Sequence, residues 1–263
     1  MSYEDSVAAH YGRTNVMDQL LGMVRAAGKD PLKFSAADLQ GADQLHLGGP
    51  AATSRIAGQA GIGTGSQVLD IGSGLGGVAR HLAGEFGATV HGVDVTAEFV
   101  AAAQTLTERM GLSNSVTFSH GNGTALPVDD DSFDVALLIH VGMNIRDKDK
   151  VFAEAARALR PAGLMVVYDV MLMGGDTETY PLPWADTDET SFLQPPLAYS
   201  DALEQSGFDV DHEVKRLPEA IAFLERALDS GGPVGVNRLA MGNLLAACLD
   251  GTLAPVEIYA RLR

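Results

Sequence analysis

The stretch Val68-Leu69-Asp70-Ile71-Gly72-Ser73-Gly74-Leu75-Gly76-Gly77 decides the fold of this 263-residue chain. It runs from a short apolar strand into a glycine-rich turn and then into a predicted helix. Glycines in such a turn let a ligand approach the backbone closely and let the helix pack tightly on the strand. The spacing Gly72-x-Gly74-x-x-Gly77 also satisfies the fingerprint of dinucleotide-binding folds. The turn alone therefore indicates a nucleotide-type cofactor without saying which one.

Strands and helices alternate on both sides of this turn. Strands are predicted at 67–71, 89–93, 116–119, 133–139, 164–169, 208–214 and 256–262, and helices at 4–26, 51–60, 78–86, 97–110, 148–160, 198–206, 217–230 and 236–249. This alternation predicts an α/β fold with right-handed crossovers and a mostly parallel sheet. Residues 172–196, rich in Gly, Pro, Asp and Thr, interrupt the pattern and are expected to form a loop.

No linker divides the chain, so one domain is expected over residues 1–263. Within it we expect an N-terminal helical cover (1–60), a cofactor-binding core (61–170), and a last part (171–263) that holds a substrate loop, a late helical insertion and the final strands.

Composition narrows the classes of partner. Asp and Glu outnumber Lys and Arg by 34 to 18, which gives a net charge of -16. Such a charge repels nucleic acid, and either serves solubility or favours a cationic small substrate.

The single cysteine, Cys248, allows no internal disulfide. No apolar run approaches the ~20 residues of a membrane helix, and no signal peptide is evident, so a cytoplasmic protein is expected. The oligomeric state stays open, a homodimer included.

The acid in the glycine turn helps to choose the cofactor. A carboxylate at Asp70 would repel a pyrophosphate, whereas S-adenosylmethionine (SAM) carries a sulfonium and an α-ammonium group, both cationic. A structural role, capping the following turn, is the other interpretation of Asp70. The acid favours SAM and leaves an NAD(P)-dependent oxidoreductase as the alternative function.

Two further elements extend the predicted cofactor site. Asp94 closes the second strand, where a carboxylate can accept both ribose hydroxyls. It could instead cap the next helix, but Thr96 is an equally good cap and would free it. Asn122, in the turn after the third strand, could pair with the adenine edge, although the segment by itself is only a turn. The predicted cofactor-binding residues are Asp70, Gly72, Ser73, Gly74, Asp94, Val95, Asn122, Gly123 and Thr124.

Four segments together resemble the class I SAM-dependent methyltransferases. They are DIGSGLGG (70–77), GVDVT (92–96), ALPVDDDSFD (125–134) and ALRPAGL (158–164). The resemblance covers roughly residues 60–170. It implies a Rossmann-like seven-stranded sheet of order 3-2-1-4-5-7-6, with the last strand antiparallel. Within the family the chain resembles the sarcosine and dimethylglycine N-methyltransferases, through its HLGG turn (46–49), and the ubiquinone-type C-methyltransferases, through Asn122-Gly123 and residues 142–148.

Such a protein would methylate a small-molecule acceptor by in-line displacement, for which alignment supplies much of the catalysis. From resemblance alone the acceptor atom is expected to be nitrogen first, then oxygen or carbon. C-methylation of a quinone- or isoprenoid-like substrate is the alternative within the class.

His140 follows an apolar strand, at the sheet edge where ligands bind in such folds, and is the candidate general base; packing on the adenosine is the competing role. Tyr11, His46 and Asp169 are candidate substrate contacts, and Trp184 could form an aromatic lid with Tyr180 and Phe192. Each of these residues could instead serve packing or capping. No spacing typical of a metal site is present.

Overall fold

The protein is represented by a computed structural model that describes residue 3 and residues 6–8, 16–39, 41–175, 179–229 and 237–263. Its strands are β1 Gln67–Ile71, β2 Thr89–Asp94, β3 Val116–His120, β4 Phe133–Ile139, β5 Leu159–Leu172, β6 Phe208–Lys215 and β7 Leu253–Leu262. They form one sheet of order β3-β2-β1-β4-β5-β7-β6. The first five strands in this order are parallel, and β7 runs antiparallel to β5 and β6. The predicted fold is confirmed.

Helices cover both faces of the sheet in the described ranges. They are α1 Val16–Ala26, α2 Gly49–Ala60, α3 Gly77–Phe86, α4 Ala97–Arg109, α5 Lys148–Ala158, α6 Pro196–Gln205, α7 Leu217–Asp229 and α8 Arg238–Leu249. Short 3-10 helices occupy Ala36–Leu39, Gly142–Asn144 and Asp188–Thr190. None of these helices is both long and apolar enough to cross a membrane.

The core consists of apolar layers on the two faces of the sheet. Helices α5 and α6 pack on one face, where Phe152 and Leu203 contact the layer that holds Leu69 and Leu138. Helices α2, α3 and α4 cover the other face. Strands buried on both faces explain why the central segments read as continuous apolar runs instead of alternating ones. A third cluster joins α7 and α8 to the segment around Trp184.

The fifth strand is longer than predicted at both ends. Helix α5 ends at Ala158 instead of residue 160, because Leu159 is already extended and pairs with Phe133. The strand then continues to Leu172 instead of residue 169, because β7 pairs with it antiparallel from Arg261 to Leu253. An antiparallel neighbour can extend a strand past the point where its parallel partner stops.

The N-terminal cover is fastened to the core by a buried ion pair. Arg80 on α3 is fully buried and donates to the Asp43 carboxylate at 2.6 Å. The same guanidinium donates to Leu75 O and to Thr107 Oγ1. Gly77 leaves no room for a side chain, since a Cβ there would meet the Asp43 carbonyl. The segment around Asp43 is therefore held directly over the start of α3.

Candidate cofactor and active site

A cavity opens at the carboxyl ends of β1, β2 and β4 and behind the turn that follows β3. It is lined by residues 43–46, 70–75, 93–96, 121–123, 139–141 and 144–145, with Tyr3, Val7, Val78 and Phe99. Its volume is about 1030 Å³ including the open mouth.

The glycine turn after β1 forms the floor of this cavity. The N–H groups of Gly72 and Ser73 both donate to Val93 O, at 2.7 and 3.1 Å, so the turn is tied to the end of β2. Gly72 has a φ of 77° and lies against Val141, whose methyl groups occupy the place of a Cβ. Only glycine satisfies both conditions, and the turn therefore presents bare backbone to a ligand.

Asp70, next to this floor, has an unsatisfied carboxylate oxygen. The residue is 2% exposed, lines the cavity, and its Oδ2 has no hydrogen-bond partner within the described residues. Burial, with a smaller contribution from the Asp94 charge, raises the pKa of Asp70 to about 7. A buried acid in this state gains most from a cationic ligand. The expected alternative, a cap on the following turn, leaves this oxygen unexplained.

Asp94 is held in place by two backbone amides. Its Oδ2 accepts from Gly74 N–H at 2.7 Å and its Oδ1 accepts from Thr96 N–H at 2.8 Å. Burial nevertheless raises its pKa above the usual range. The expectation that Thr96 would take over the capping is wrong, since the Thr96 hydroxyl makes no capping bond. Asp94 lines the cavity with a fixed orientation, and a carboxylate oxygen can accept more than one hydrogen bond.

The turn after β3 departs from expectation. Asn122 Oδ1 accepts from both Thr124 N–H and Thr124 Oγ1, at 3.0 Å each. Its oxygen is thus occupied, and pairing of both amide atoms with adenine does not fit this arrangement. Asn122 and Gly123 line the cavity, whereas Thr124 only shapes the turn. Val95 and Ser73 also line the cavity, and Ser73 Oγ is buried without a protein partner among the described residues.

His140 stands at the end of β4 in a left-handed conformation, with a φ of 54°. Its N–H donates to Tyr168 O at 2.7 Å, which holds the residue against β5. The residue is partly exposed and lines the cavity, whereas its Nε2 is buried and has no partner in the described part of the chain. Burial is the larger cause and the neighbouring His46 the smaller one that together lower the pKa of His140 well below 6.5. The imidazole is therefore neutral at pH 7.

His46 lines the same cavity but is already engaged. Its Nδ1 contacts Leu47 O at 3.1 Å, and its Nε2 contacts Gln44 Oε1 and Thr53 Oγ1 at 3.1 and 3.2 Å. Burial lowers its pKa to about 4. The His46 and His140 rings lie 6.1 Å apart between centroids.

Two candidate substrate contacts are placed elsewhere. Asp169 does not line the cavity; it lies within β5 and is fully buried, and its Oδ2 accepts from Tyr199 OH at 2.7 Å. Trp184 is no lid: it is 2% exposed in the third apolar cluster, and its Nε1 donates to Ser191 Oγ at 3.0 Å. Tyr11 lies outside the described residues.

Sequence reasoning missed the wall formed after β4. Asn144 and Ile145 line the cavity, and Asn144 Nδ2 donates to Trp184 O and Thr190 O, both at 3.1 Å. Next to them Arg146 stacks on Tyr3 and Phe192, with its guanidinium 4.7 and 4.9 Å from the ring centroids. Residues 142–148 carry part of the resemblance to the ubiquinone-type C-methyltransferases, but nothing in their sequence indicates that they line a cavity.

These groups fit SAM. The unpartnered Asp70 oxygen and Ser73 hydroxyl suit its charged amino-acid part, and the fixed Asp94 carboxylate suits its ribose. Among the described residues, no group of three or more His, Cys, Asp or Glu side chains could hold a metal ion.

Known proteins share this sequence pattern and this fold. A family model described as a methyltransferase domain matches residues 69–167. Methyltransferase GfsG of Streptomyces halstedii is 32% identical over 158 residues, which make up 60% of this chain and 57% of GfsG. The chain thus spans little more than half the length of the curated relatives that it matches first.

Solved structures show the fold alone, at low identity. Geranyl diphosphate C-methyltransferase from Streptomyces coelicolor A3(2), in complex with Mg²⁺, geranyl diphosphate and S-adenosyl-L-homocysteine, has a TM-score of 0.78 at 16% identity and covers 100% of this chain and 98% of that one. The [4+2]-cyclase SpnF has a TM-score of 0.65 at 21% identity, covering 81% and 80%. Residues 69–167 therefore match a methyltransferase domain, and the sheet order is the one that the resemblance to class I SAM-dependent methyltransferases implies.

Proposed function

We propose that this protein transfers the methyl group of SAM to a small-molecule acceptor. The observation that carries the proposal is the shared cavity, which is lined both by a buried carboxylate with an unsatisfied oxygen, Asp70, and by a neutral imidazole, His140. An NAD(P) cofactor fits poorly, since its pyrophosphate would lie against the Asp70 carboxylate.

The chain's contribution begins with binding. The glycine turn presents backbone to the cofactor, Asp94 would accept hydrogen bonds from the ribose, and Asp70 would face its cationic part. Bound SAM supplies a methyl group on a positively charged sulfur. The walls of the cavity exclude water and hold the acceptor in line, which can supply much of the rate enhancement.

His140 is proposed as the group that takes the proton of the acceptor. A neutral amine attacks with its own lone pair, whereas a hydroxyl or a carbon acid gains from a base. Burial lowers the pKa of His140, which leaves the imidazole unprotonated at neutral pH but also makes it a weaker base. A base in this position would serve a hydroxyl or a carbon acid, whereas a neutral amine acceptor would need none.

Methylation at carbon is a second candidate. The apolar side chains of Val7, Val141 and Ile145 in the cavity wall suit a quinone- or isoprenoid-like acceptor. The atom that receives the methyl group, read from the NMR spectrum of the product, separates the two candidates.

The test combines trideuteromethyl-SAM with a metabolite extract of the source organism. Wild type should produce a compound heavier by one labelled methyl group. His140→Ala should bind SAM within about 3-fold of wild type and lose roughly 10²–10⁴-fold in turnover. His212→Ala is the matched control, because His212 is exposed and stacks on Tyr259 of β7, outside the cavity. Unchanged turnover in His140→Ala would contradict the role of His140 as a base. SAM binding without any labelled product would contradict methyl transfer.

A further inference from the structure

We infer that Tyr168 is a positioning residue for methyl transfer: its ring orients the His140 imidazole, and the turn at 46–49 holds that ring in place. This inference rests on the proposed function, in which His140 takes the proton of the acceptor. It is carried by three rings that meet beside the cavity and by the backbone groups to which they are bonded.

The backbone of His140 turns its ring toward Tyr168. In β4, Leu138 belongs to the apolar layer under α5 and α6, whereas Ile139 belongs to the layer under α2, α3 and α4. Because side chains alternate along a strand, an extended residue 140 would lie on the face of Leu138. The left-handed φ of 54° places the His140 ring against Tyr168 instead, on the face of Ile139. Few residues other than glycine adopt this conformation, and neighbouring contacts must hold it.

Tyr168 contacts His140 through both its backbone and its ring. The His140 N–H donates to the Tyr168 carbonyl oxygen at 2.7 Å. The two ring centroids lie 5.0 Å apart with 64° between the ring planes, which is a favourable edge-to-face arrangement. The backbone bond fixes where residue 140 lies, and the ring contact limits the directions that the imidazole can take.

The Leu47 carbonyl anchors the other two rings. Tyr168 OH donates to Leu47 O at 3.2 Å. His46 Nδ1 lies 3.1 Å from the same oxygen and is the donor, because a carbonyl oxygen only accepts. The His46 ring centroid lies 6.3 Å from that of Tyr168 and 6.1 Å from that of His140. The three rings therefore form one group, and a single backbone oxygen of the turn holds two of them.

Packing alone is the competing role for a buried tyrosine, and Tyr259 supplies the matched control. It lies in the same apolar layer as Tyr168, and both residues are at most 2% exposed. The Tyr259 ring stacks on His212, and its OH donates to Gln59 Oε1 at 2.9 Å. Replacing either tyrosine by leucine removes similar packing, but only Tyr168→Leu releases the ring of His140.

The first test compares rates of label transfer from trideuteromethyl-SAM into a metabolite extract of the source organism. At saturating SAM, Tyr168→Leu should lose roughly 10–100-fold in rate, since a misplacement of ~1 Å can cost this much. It should bind SAM within about 3-fold of wild type, and Tyr168→Phe and Tyr259→Leu should keep the rate within about 3-fold. Thermal unfolding checks that each variant is folded at the assay temperature. Equal losses in Tyr168→Leu and Tyr259→Leu would overturn the inference.

A double variant shows whether Tyr168 acts through His140. Residues that act through one another give losses that do not add, so Tyr168→Leu should reduce the rate of His140→Ala by less than about 2-fold. A full additional loss of about 10–100-fold in the double variant would overturn positioning and leave Tyr168 a packing residue.

A measurement without any acceptor separates this inference from the proposed function. In protein with isotope-labelled histidine, three-bond couplings across the His140 Cα–Cβ bond report its rotamer, and the His140 signals are identified by their loss in His140→Ala. We expect one rotamer in wild type and Tyr168→Phe, and averaging over rotamers in Tyr168→Leu. An unchanged single rotamer in Tyr168→Leu would overturn the inference whatever the rates. No labelled product from wild type, with SAM bound, would overturn methyl transfer and with it the role of Tyr168 in that reaction, even where the rotamer changes as expected.

Discussion

Replacing Asp70 by asparagine should stabilise the free protein and weaken SAM binding at the same time. The carboxylate is buried and one oxygen has no partner within the described residues. Its pKa is raised from 3.8 to about 7, so between these pH values the carboxyl group ionises in the unfolded chain but stays mostly protonated in the folded protein. Between these two values the free energy of unfolding falls as the pH rises, by about 1.36 kcal/mol per pH unit. Asparagine, which is similar in shape and uncharged, removes that loss.

The size of the gain depends on pH in a way that identifies its cause. At pH 8 the full shift applies and Asp70→Asn should gain about 4 kcal/mol, or roughly 8–16 °C in Tm. At pH 5 only the part between 3.8 and 5 applies, so the gain should be about 2 kcal/mol. Urea unfolding of the SAM-free protein at both pH values measures this. Asp201→Asn, which changes an exposed acid on α6, should show almost no difference.

Cofactor affinity should move the opposite way. A hydrogen bond between a carboxylate and a charged group contributes about 1.5–3 kcal/mol, so Asp70→Asn should bind SAM roughly 10–150-fold more weakly in calorimetry. The reasoning is refuted if the variant is no more stable than wild type at pH 8, or if it binds SAM with unchanged affinity.

Three further predictions concern the scaffold around the site. Arg80→Met leaves Asp43 buried without its partner and should cost about 3–5 kcal/mol in urea unfolding, whereas Arg261→Met, at an exposed pair, should cost less than about 1 kcal/mol. Trp184→Ala should lower stability by about 3–5 kcal/mol without changing the SAM affinity of the folded protein, because Trp184 packs in the third apolar cluster; an unchanged Tm would place it outside the core. Burial raises the pKa of the Cys248 thiol to about 12, so an Ellman assay should detect no reactive thiol in the native protein and one in denaturant; rapid labelling of the native state would contradict this burial.

Much of the fold was predictable because strand and helix periods differ and the glycine turn marks the first crossover. The alternation located all seven strands, and the resemblance supplied their order. The ends of β5 and β7 were not predictable from local pattern. They depend on each other, since the antiparallel pairing of Leu172 with Leu253 exists only once both strands are in place.

The site was predictable where the chain itself brings residues together. Asp70, Gly72 and Asp94 end neighbouring strands, so their meeting follows from the topology. Asp169 also lies towards the carboxyl end of a strand, but strand parity puts it on the face of Val167 and Met171, toward α6. The register that fixes this face was not readable from the sequence, because β5 is apolar on both faces.

The contributions of distant segments could not be read at all. Tyr3 meets the cavity through its contacts with Arg146 and Phe192, residues far away in the chain. Trp184 packs in the core against α7 and α8. The sequence around a single aromatic residue does not indicate such packing with distant helices.

The most direct measurement is a crystal structure of the protein with S-adenosyl-homocysteine. The nucleoside should lie across the carboxyl ends of β1 and β2, its ribose hydroxyls on the Asp94 carboxylate and its amino-acid part beside Asp70. Density for this ligand at another place, or its absence from this cavity at saturating concentration, would contradict this mode of cofactor binding.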